Sequence, residues 1–330
     1  MTTVSQYAKN IAVIGAGYWG KNLVRNFHEL GSLHTICDSE TRTLLDFSNK
    51  YPGLNTAADF EEVLDNQDIE GVVIALPAEH HFSYAKKVLT AGKNVYVEKP
   101  LALEMKEAQA LVALAEQKEL ILMVGHLLQY HPAFIRLKEL VYQGELGKIN
   151  YIYSNRLSLG KIRREENILW SFAPHDISMI LALCREEPVR VSAFGGNYLQ
   201  KKIADVTLTQ LEFKSGIKCH IFVSWLHPFK EQKLVVVGDK KMAVFSDTEE
   251  WGNKLLIYSH SITWENGIPV ANKAAGQSIN VEKSEPLKNE CRHFLECIEN
   301  KRRPLTDGQE GLKVLKVLQQ AQNSLEIKEK

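Results

Sequence analysis

The stretch Ile11-Ala12-Val13-Ile14-Gly15-Ala16-Gly17-Tyr18-Trp19-Gly20 decides how the chain is read. Four apolar residues run directly into a GxGxxG turn, and an amphipathic pattern follows over residues 21–30. An apolar run of that length suits a strand buried on both faces, as in a parallel sheet. Glycine at position 15 permits a tight turn out of the strand. Gly17 lets backbone approach a pyrophosphate, and Gly20 allows the next helix to pack closely. Amides at the start of that helix, together with its dipole, then point at phosphate.

Outward from this turn, short runs rich in Val, Ile and Leu recur at 33–37, 71–76, 94–97 and 121–124, with helical stretches such as 104–119 between them. Gly31 and Gly92 fall where helices stop. Strand and helix in alternation imply right-handed crossovers, hence an α/β Rossmann domain with a doubly wound parallel sheet over residues 1–125. The pattern changes near Gly147. Runs at 148–158, 189–198, 206–213, 218–225, 233–237 and 242–247 follow one another as strands, with a hairpin turn at Asp239. A helix is expected over 174–183, opened by Pro174, and two more over 287–300 and 308–325. Residues 126–330 therefore read as a C-terminal α+β domain with a mostly antiparallel sheet, whose last helices can return to the first domain. Residues 259–285 read as a loop.

The 330 residues exceed one ordinary domain, and 45% hydrophobic with 24% charged side chains is an ordinary globular composition. Forty basic and forty acidic groups cancel, which gives no electrostatic case for nucleic acid or a membrane surface. No apolar run reaches about 20 residues, and residues 1–10 are polar, unlike a secretion signal. Five cysteines (Cys37, Cys184, Cys219, Cys291, Cys297) form no CxxC pair, so neither a disulfide framework nor a zinc site is expected, and a cytoplasmic setting fits.

Asp38 closes the second strand, where a carboxylate accepts hydrogen bonds from the adenosine ribose and repels a 2′-phosphate. NAD is thus the expected cofactor; the plainer role for Asp38 is a cap on the helix starting near Glu40. Leu76, Pro77 and His80 follow the third strand on the ligand-facing edge, although His80 and His81 read more readily as helix-start residues without chemistry. Glu98-Lys99-Pro100 places a lysine at the same edge of the next strand, and proline restricts Lys99 to extended backbone.

The glycine turn (with Tyr18 and Trp19), Glu98-Lys99-Pro100, residues 125–130 (with Gln129), Gln143-Gly144-Glu145-Leu146-Gly147-Lys148 and Pro304-Leu305-Thr306-Asp307-Gly308 together resemble the Gfo/Idh/MocA oxidoreductases over nearly the whole chain. That resemblance implies an open C-terminal sheet used for homo-oligomerisation, as a dimer or tetramer. It also implies catalysis by the motif lysine and by the histidine of an Asp-x-x-x-His pattern. His175 matches the histidine, whereas Ser171 stands where the family has aspartate. Asp176 points about 100° away around a helix and is a poor substitute.

Residues 154–167 and 169–176 further resemble the family's UDP-sugar 3-dehydrogenases. The resemblance implies a UDP-linked N-acetylated hexosamine as substrate, with Arg156, Lys161, Arg163, Arg164, Asn167, Trp170, Ser171 and His175 lining its site. Guanidinium and ammonium groups suit a diphosphate, although the same run reads as a solvated basic loop balanced by Glu165 and Glu166.

Removing hydride from a sugar carbon requires its hydroxyl to lose a proton. His175 is the expected base and Lys99 the polariser, with the roles exchangeable. No metal is required. Without a GxSxG turn, Ser171 and Ser178 carry no nucleophile reading. The competing readings are a keto nucleotide-sugar reductase, a polyol or inositol dehydrogenase, and a non-catalytic dinucleotide sensor, which would need neither Lys99 nor His175. From Asp38, NAD should bind more tightly than NADP in calorimetry; equal or tighter binding of NADP removes Asp38 from the ribose role.

Overall fold

The computed structural model describes residue 8 and residues 10–328, without the side chains of 326–328; most of the polar N-terminal stretch lies outside them. The chain divides into two compact units, 1–127 with 285–315, and 128–284 with 316–330.

The first unit is built on β1 (Ile11–Ile14), α1 (Gly20–Glu29), β2 (Leu33–Cys37), α2 (Thr41–Lys50), β3 (Asn55–Ala57), α3 (Phe60–Asp65), β4 (Gly71–Ile74), α4 (Ala78–Thr90), β5 (Asn94–Glu98), α5 (Met105–Gln117) and β6 (Leu122–Gly125). Its six strands are parallel in the order β3-β2-β1-β4-β5-β6. Residues of β1, β4 and β6 are buried throughout, as strands covered on both faces require. The order reverses between β1 and β4, so the carboxyl ends there form the crevice in which such sheets hold ligands. Gly31 and Gly92, with φ of +76° and +78°, end α1 and α4, and the following amides fold back onto helix carbonyls. The short, polar β3 and the helix after it carry no periodic signal and were not expected from sequence.

In the second unit lie α6 (Pro132–Tyr142), β7 (Ile149–Leu157), α7 (Ile168–Cys184), β8 (Pro188–Gly196), β9 (Val206–Phe213), β10 (Lys218–Ser224), β11 (Glu231–Gly238), β12 (Met242–Ser246), β13 (Leu255–Tyr258), β14 (Ser261–Glu265), β15 (Ile268–Asn272) and β16 (Gly276–Ser278). Eight of the strands form one sheet, β16-β13-β12-β11-β7-β10-β9-β8, antiparallel except where β10 runs parallel to β7. Residues 259–285 correct the loop expectation: β16 extends the sheet, and β14 pairs with β15 as a separate hairpin.

Helix α7 also starts earlier than expected. Asn167 caps it by accepting the Trp170 amide, and Pro174 lies inside rather than at its start. Proline there lacks the N–H that would bond Trp170's carbonyl, but twelve of the helix's seventeen residues are buried, and packing outweighs the lost bond. The chain closes with α8 (Pro286–Glu299), which packs on α1 in the first unit through Arg25–Glu285 and Lys288–Glu29 ion pairs, and with α9 (Gly308–Lys328).

One polar chain ties the second unit together. Arg156 of β7 bonds Asp176 of α7 through Nε (2.6 Å) and Nη2 (3.3 Å), and Ser154 Oγ donates to the same carboxylate at 2.5 Å. At the far end of β12, Asp247 lies 3.4 Å from both His131 Nε2 and Lys254 Nζ. Burial pushes the Asp247 carboxyl upward, but His131, Lys254 and Arg156 outweigh it and hold the group at about 2, below its ordinary 3.8. A depressed acid contributes stability above its unfolded pKa and loses it as pH falls through the folded value.

Asp247→Asn should therefore cost about 2 kcal/mol at pH 7, and the deficit should shrink between about pH 4 and pH 2 in denaturant melts. Arg156→Met leaves Asp176 buried without its cation and should cost about 3–5 kcal/mol at neutral pH.

Candidate active site

The first unit presents its ligand-facing edge at the ends of β1, β4 and β5. Gly15 has φ of +85°, and a Cβ there would sit 2.9 Å from the Ala75 carbonyl oxygen. A Cβ on Gly20 would overlap the Gly15 carbonyl, so only glycine lets α1 start this close to β1. Gly17 differs: a Cβ there meets nothing within 4 Å, so its backbone borders open space. No side chain caps the start of α1; the Lys21 and Asn22 amides turn back onto the Gly17 and Trp19 carbonyls, at 3.2 and 2.9 Å. The three glycines thus fit a dinucleotide pyrophosphate in the roles that their order predicts.

Asp38 performs two local tasks at once. Its Oδ2 accepts the Ala16 amide of the glycine turn at 2.8 Å, and its Oδ1 accepts the Glu40 amide just before α2 at 3.0 Å. Tyr18 is 81% exposed; Trp19 is partly covered, and its indole Nε1 donates to Glu98 Oε1 at 2.6 Å. Leu76 is half-buried, whereas Pro77 and His80 are exposed.

His81 is fully covered, its ring nitrogens 2.6 Å from the Pro100 carbonyl and 2.9 Å from the Leu76 carbonyl. Burial, helped by Lys99, lowers its pKa, so the ring is neutral at pH 7 and donates one of these bonds at a time. His81 braces the turn holding Lys99 against the end of β4. Nearby, buried His126 places Nδ1 2.5 Å from Glu310 Oε2, fixing the end of β6 to the first turn of α9.

The second unit carries the remaining expected residues. His175 lies on α7, half-buried, one position before the buried Asp176; Ser171 is buried one turn earlier. Gln129, expected at the cofactor, donates its amide N–H groups to α7, at the Ser178 carbonyl (2.9 Å) and hydroxyl (3.0 Å). Arg156, expected at the diphosphate, is only 8% exposed and is committed to Asp176. Asn167 caps α7 and donates to Gln322 at 2.8 Å, while the Trp170 indole donates to the same Gln322 oxygen at 3.1 Å. In the basic loop, Lys161 and Arg164 are exposed, and Arg163 pairs with Glu166 at 2.9 Å.

Sequence reasoning passed over Asp205. Fully buried, it accepts the Trp225 indole (2.6 Å) and the Tyr198 and Leu199 amides (2.6 and 2.8 Å), and Gln200 of that turn donates to the Arg163 carbonyl at 3.1 Å. It shapes the segment beside the basic loop. Only the unusual burial of an aspartate marks it, and burial is not visible in sequence.

Among the described residues no cluster of three or more His, Cys, Asp or Glu is arranged for a metal, and no helix is long and apolar enough to cross a membrane.

Comparison with known proteins places this geometry in context. Residues 9–126 match the family described as "Oxidoreductase family, NAD-binding Rossmann fold", and residues 134–244 match "GFO/IDH/MocA C-terminal domain". The chain is 25% identical to UDP-N-acetylglucosamine 3-dehydrogenase of Acidithiobacillus ferrooxidans, over 95% of this chain and 96% of that one. The crystal structure of that organism's enzyme, GnnA, superposes with a TM-score of 0.85 at 24% identity, covering 96% and 97% of the two chains. A scyllo-inositol 2-dehydrogenase (NAD(+)) of Bacillus subtilis is 25% identical over 74% of this chain and 72% of its own.

The second and third glycines predict opposite phenotypes. Gly17→Ala should leave the melting behaviour within about 0.5 kcal/mol of the parent while weakening NAD binding at least about tenfold. Gly20→Ala should destabilise the fold itself by about 3 kcal/mol. Denaturant melts and calorimetry on both variants check this.

Proposed function

We propose that this chain, which belongs to the Gfo/Idh/MocA oxidoreductases and is an NAD-dependent dehydrogenase, oxidises the 3-hydroxyl of a UDP-linked N-acetylated hexosamine to the 3-keto sugar. Either UDP-N-acetylglucosamine or its uronic acid suits the reading. The product would feed an aminotransferase that prepares sugars for lipopolysaccharide or another surface polysaccharide. The observation that carries the proposal is the nearly end-to-end similarity to a UDP-N-acetylglucosamine 3-dehydrogenase. The motif residues Lys99 and His175 support it from the sequence.

In this reading, NAD when bound supplies the hydride acceptor, and protein groups manage the proton. His175 takes the proton of the 3-hydroxyl as the C3–H bond gives up its hydride. Lys99 donates hydrogen bonds to the same oxygen and stabilises its developing negative charge. Ser171 stands where an aspartate would complete a relay, so His175 acts without a carboxylate one turn before it. Exposed Lys161 and Arg164, with Arg163, are proposed for the UDP diphosphate. Arg156 is left out of that group because Asp176 already holds it. Association of copies through the C-terminal sheet and a cytoplasmic location complete the proposal.

The similarity to an inositol dehydrogenase favours a second reading, oxidation of a free polyol. Absorbance at 340 nm during incubation of NAD with UDP-N-acetylglucosamine, its uronic acid or scyllo-inositol separates the two. The proposal expects reduction with a UDP-sugar and UDP binding by calorimetry; turnover of inositol alone, without UDP binding, supports the polyol reading. Lys99→Met should lower turnover by at least about a hundredfold while NAD still binds, and near-normal turnover contradicts its role.

A further inference from the structure

The first unit buries a group of ionisable side chains for which hydride transfer has no use. Glu290 of α8 is 1% exposed, and neither carboxyl oxygen has a hydrogen-bond partner among the described residues. Its polar neighbour is the hydroxyl of Tyr96, itself fully buried in β5. That hydroxyl lies 3.5 Å from Glu98 Oε1, which also accepts the Trp19 indole of the glycine turn. Gly125 closes over the site, since a Cβ there would sit 2.9 Å from Glu98 Oε2. The other ionisable groups around the pair are Lys99 next to Glu98, His126 beyond β6, Glu310 of α9 and Cys291 of α8.

We propose that Glu290 is a proton-holding acid, and that Glu290, Tyr96 and Glu98 form a directed chain ending at Trp19, so that this cluster carries one negative charge beside the cofactor turn. Two carboxyls joined through one hydroxyl, Glu290 fully buried and Glu98 partly so, do not both ionise readily, because each charge opposes the other and burial opposes both. Position decides which keeps the proton. Glu98 has an indole donor and Lys99 and His126 nearby, all favouring the anion, whereas Glu290 has only the Tyr96 hydroxyl and no cation. Burial, with Glu98 adding to it, raises Glu290 well above the usual carboxylate range, and burial raises Glu98 against the opposing pull of Trp19, Lys99 and His126.

The chain therefore runs one way. The Glu290 acid O–H points to the Tyr96 oxygen, the Tyr96 O–H points to Glu98, and Glu98 accepts Trp19 from the other side. Glu290 is a positioning residue: it acts through Glu98. Glu98 closes β5 at the edge where such sheets hold their ligands. A single fixed carboxylate there favours an oxidised, positively charged nicotinamide over its neutral reduced form.

Infrared spectroscopy of the cofactor-free full chain tests the proton directly. The wild type should show a protonated carboxyl C=O band at pH 8 that is missing from Glu290→Gln. In Glu98→Gln, which lacks the competing charge, the same band should titrate at a pH lower by about one unit or more. Calorimetry with both cofactor forms should find that Glu98→Gln weakens NAD+ relative to NADH by about tenfold. Absence of the wild-type band, its survival in Glu290→Gln, or an unmoved midpoint in Glu98→Gln overturns the proposal. Equal changes for NAD+ and NADH overturn the assigned charge. Should Glu290→Gln fail to fold, the titrations of the wild type and Glu98→Gln still decide. None of these readouts depends on which sugar the enzyme oxidises.

Discussion

The absence of a side chain at Gly20 is the constraint on which the first unit rests. With the Gly15 carbonyl occupying the place of a Cβ, α1 can begin directly against the end of β1. That closeness sets the N-terminal end of α1, the positive end of its dipole, at the crevice where the strand order reverses between β1 and β4. Around it the chain adds braces. Asp38 holds the Ala16 amide, Trp19 bonds Glu98, and His81 ties the Lys99 turn to Leu76. These bonds hold the edge together without any ligand, which lowers the ordering cost of binding.

The second unit positions His175 by different means. Its helix, α7, is apolar and mostly buried, so hydrophobic packing places it on the sheet, but such packing alone leaves rotation about the helix axis weakly specified. The Arg156–Asp176 pair fixes that rotation, because a buried carboxylate bonded by guanidinium and Ser154 hydroxyl tolerates little displacement. Gln129 adds a second tie, at Ser178. The basic loop is steadied by Asp205 through Gln200, which leaves Lys161 and Arg164 exposed.

Much of this was legible in the sequence, and the pattern of what was not has physical causes. Strands such as β1 and β4 announce themselves because their apolar runs are continuous, and β9 because apolar and polar residues alternate along it. β3 is three residues of mixed polarity, and the β14–β15 hairpin has exposed strands, so neither shows the burial period on which such reading depends. Pro174 reads as a helix start because proline usually is one; only the Asn167 cap and the buried surroundings reveal the turn before it. Among the candidate site residues, the glycines announced their own geometry. Arg156 and Gln129 did not, because an arginine near other basic residues looks like a phosphate ligand until the strand–helix packing shows an aspartate against it. Glu290 is the extreme case: one glutamate in an amphipathic helix carries no local sign of burial.

The central claim is that hydride leaves C3 of a UDP-linked amino sugar for bound NAD. Isotope transfer addresses it most directly. UDP-N-acetylglucosamine deuterated at C3, incubated with the enzyme and NAD, should yield reduced cofactor carrying one deuterium by mass spectrometry. Reduced cofactor without deuterium from this substrate, or with deuterium only when another ring carbon is labelled, would contradict the account.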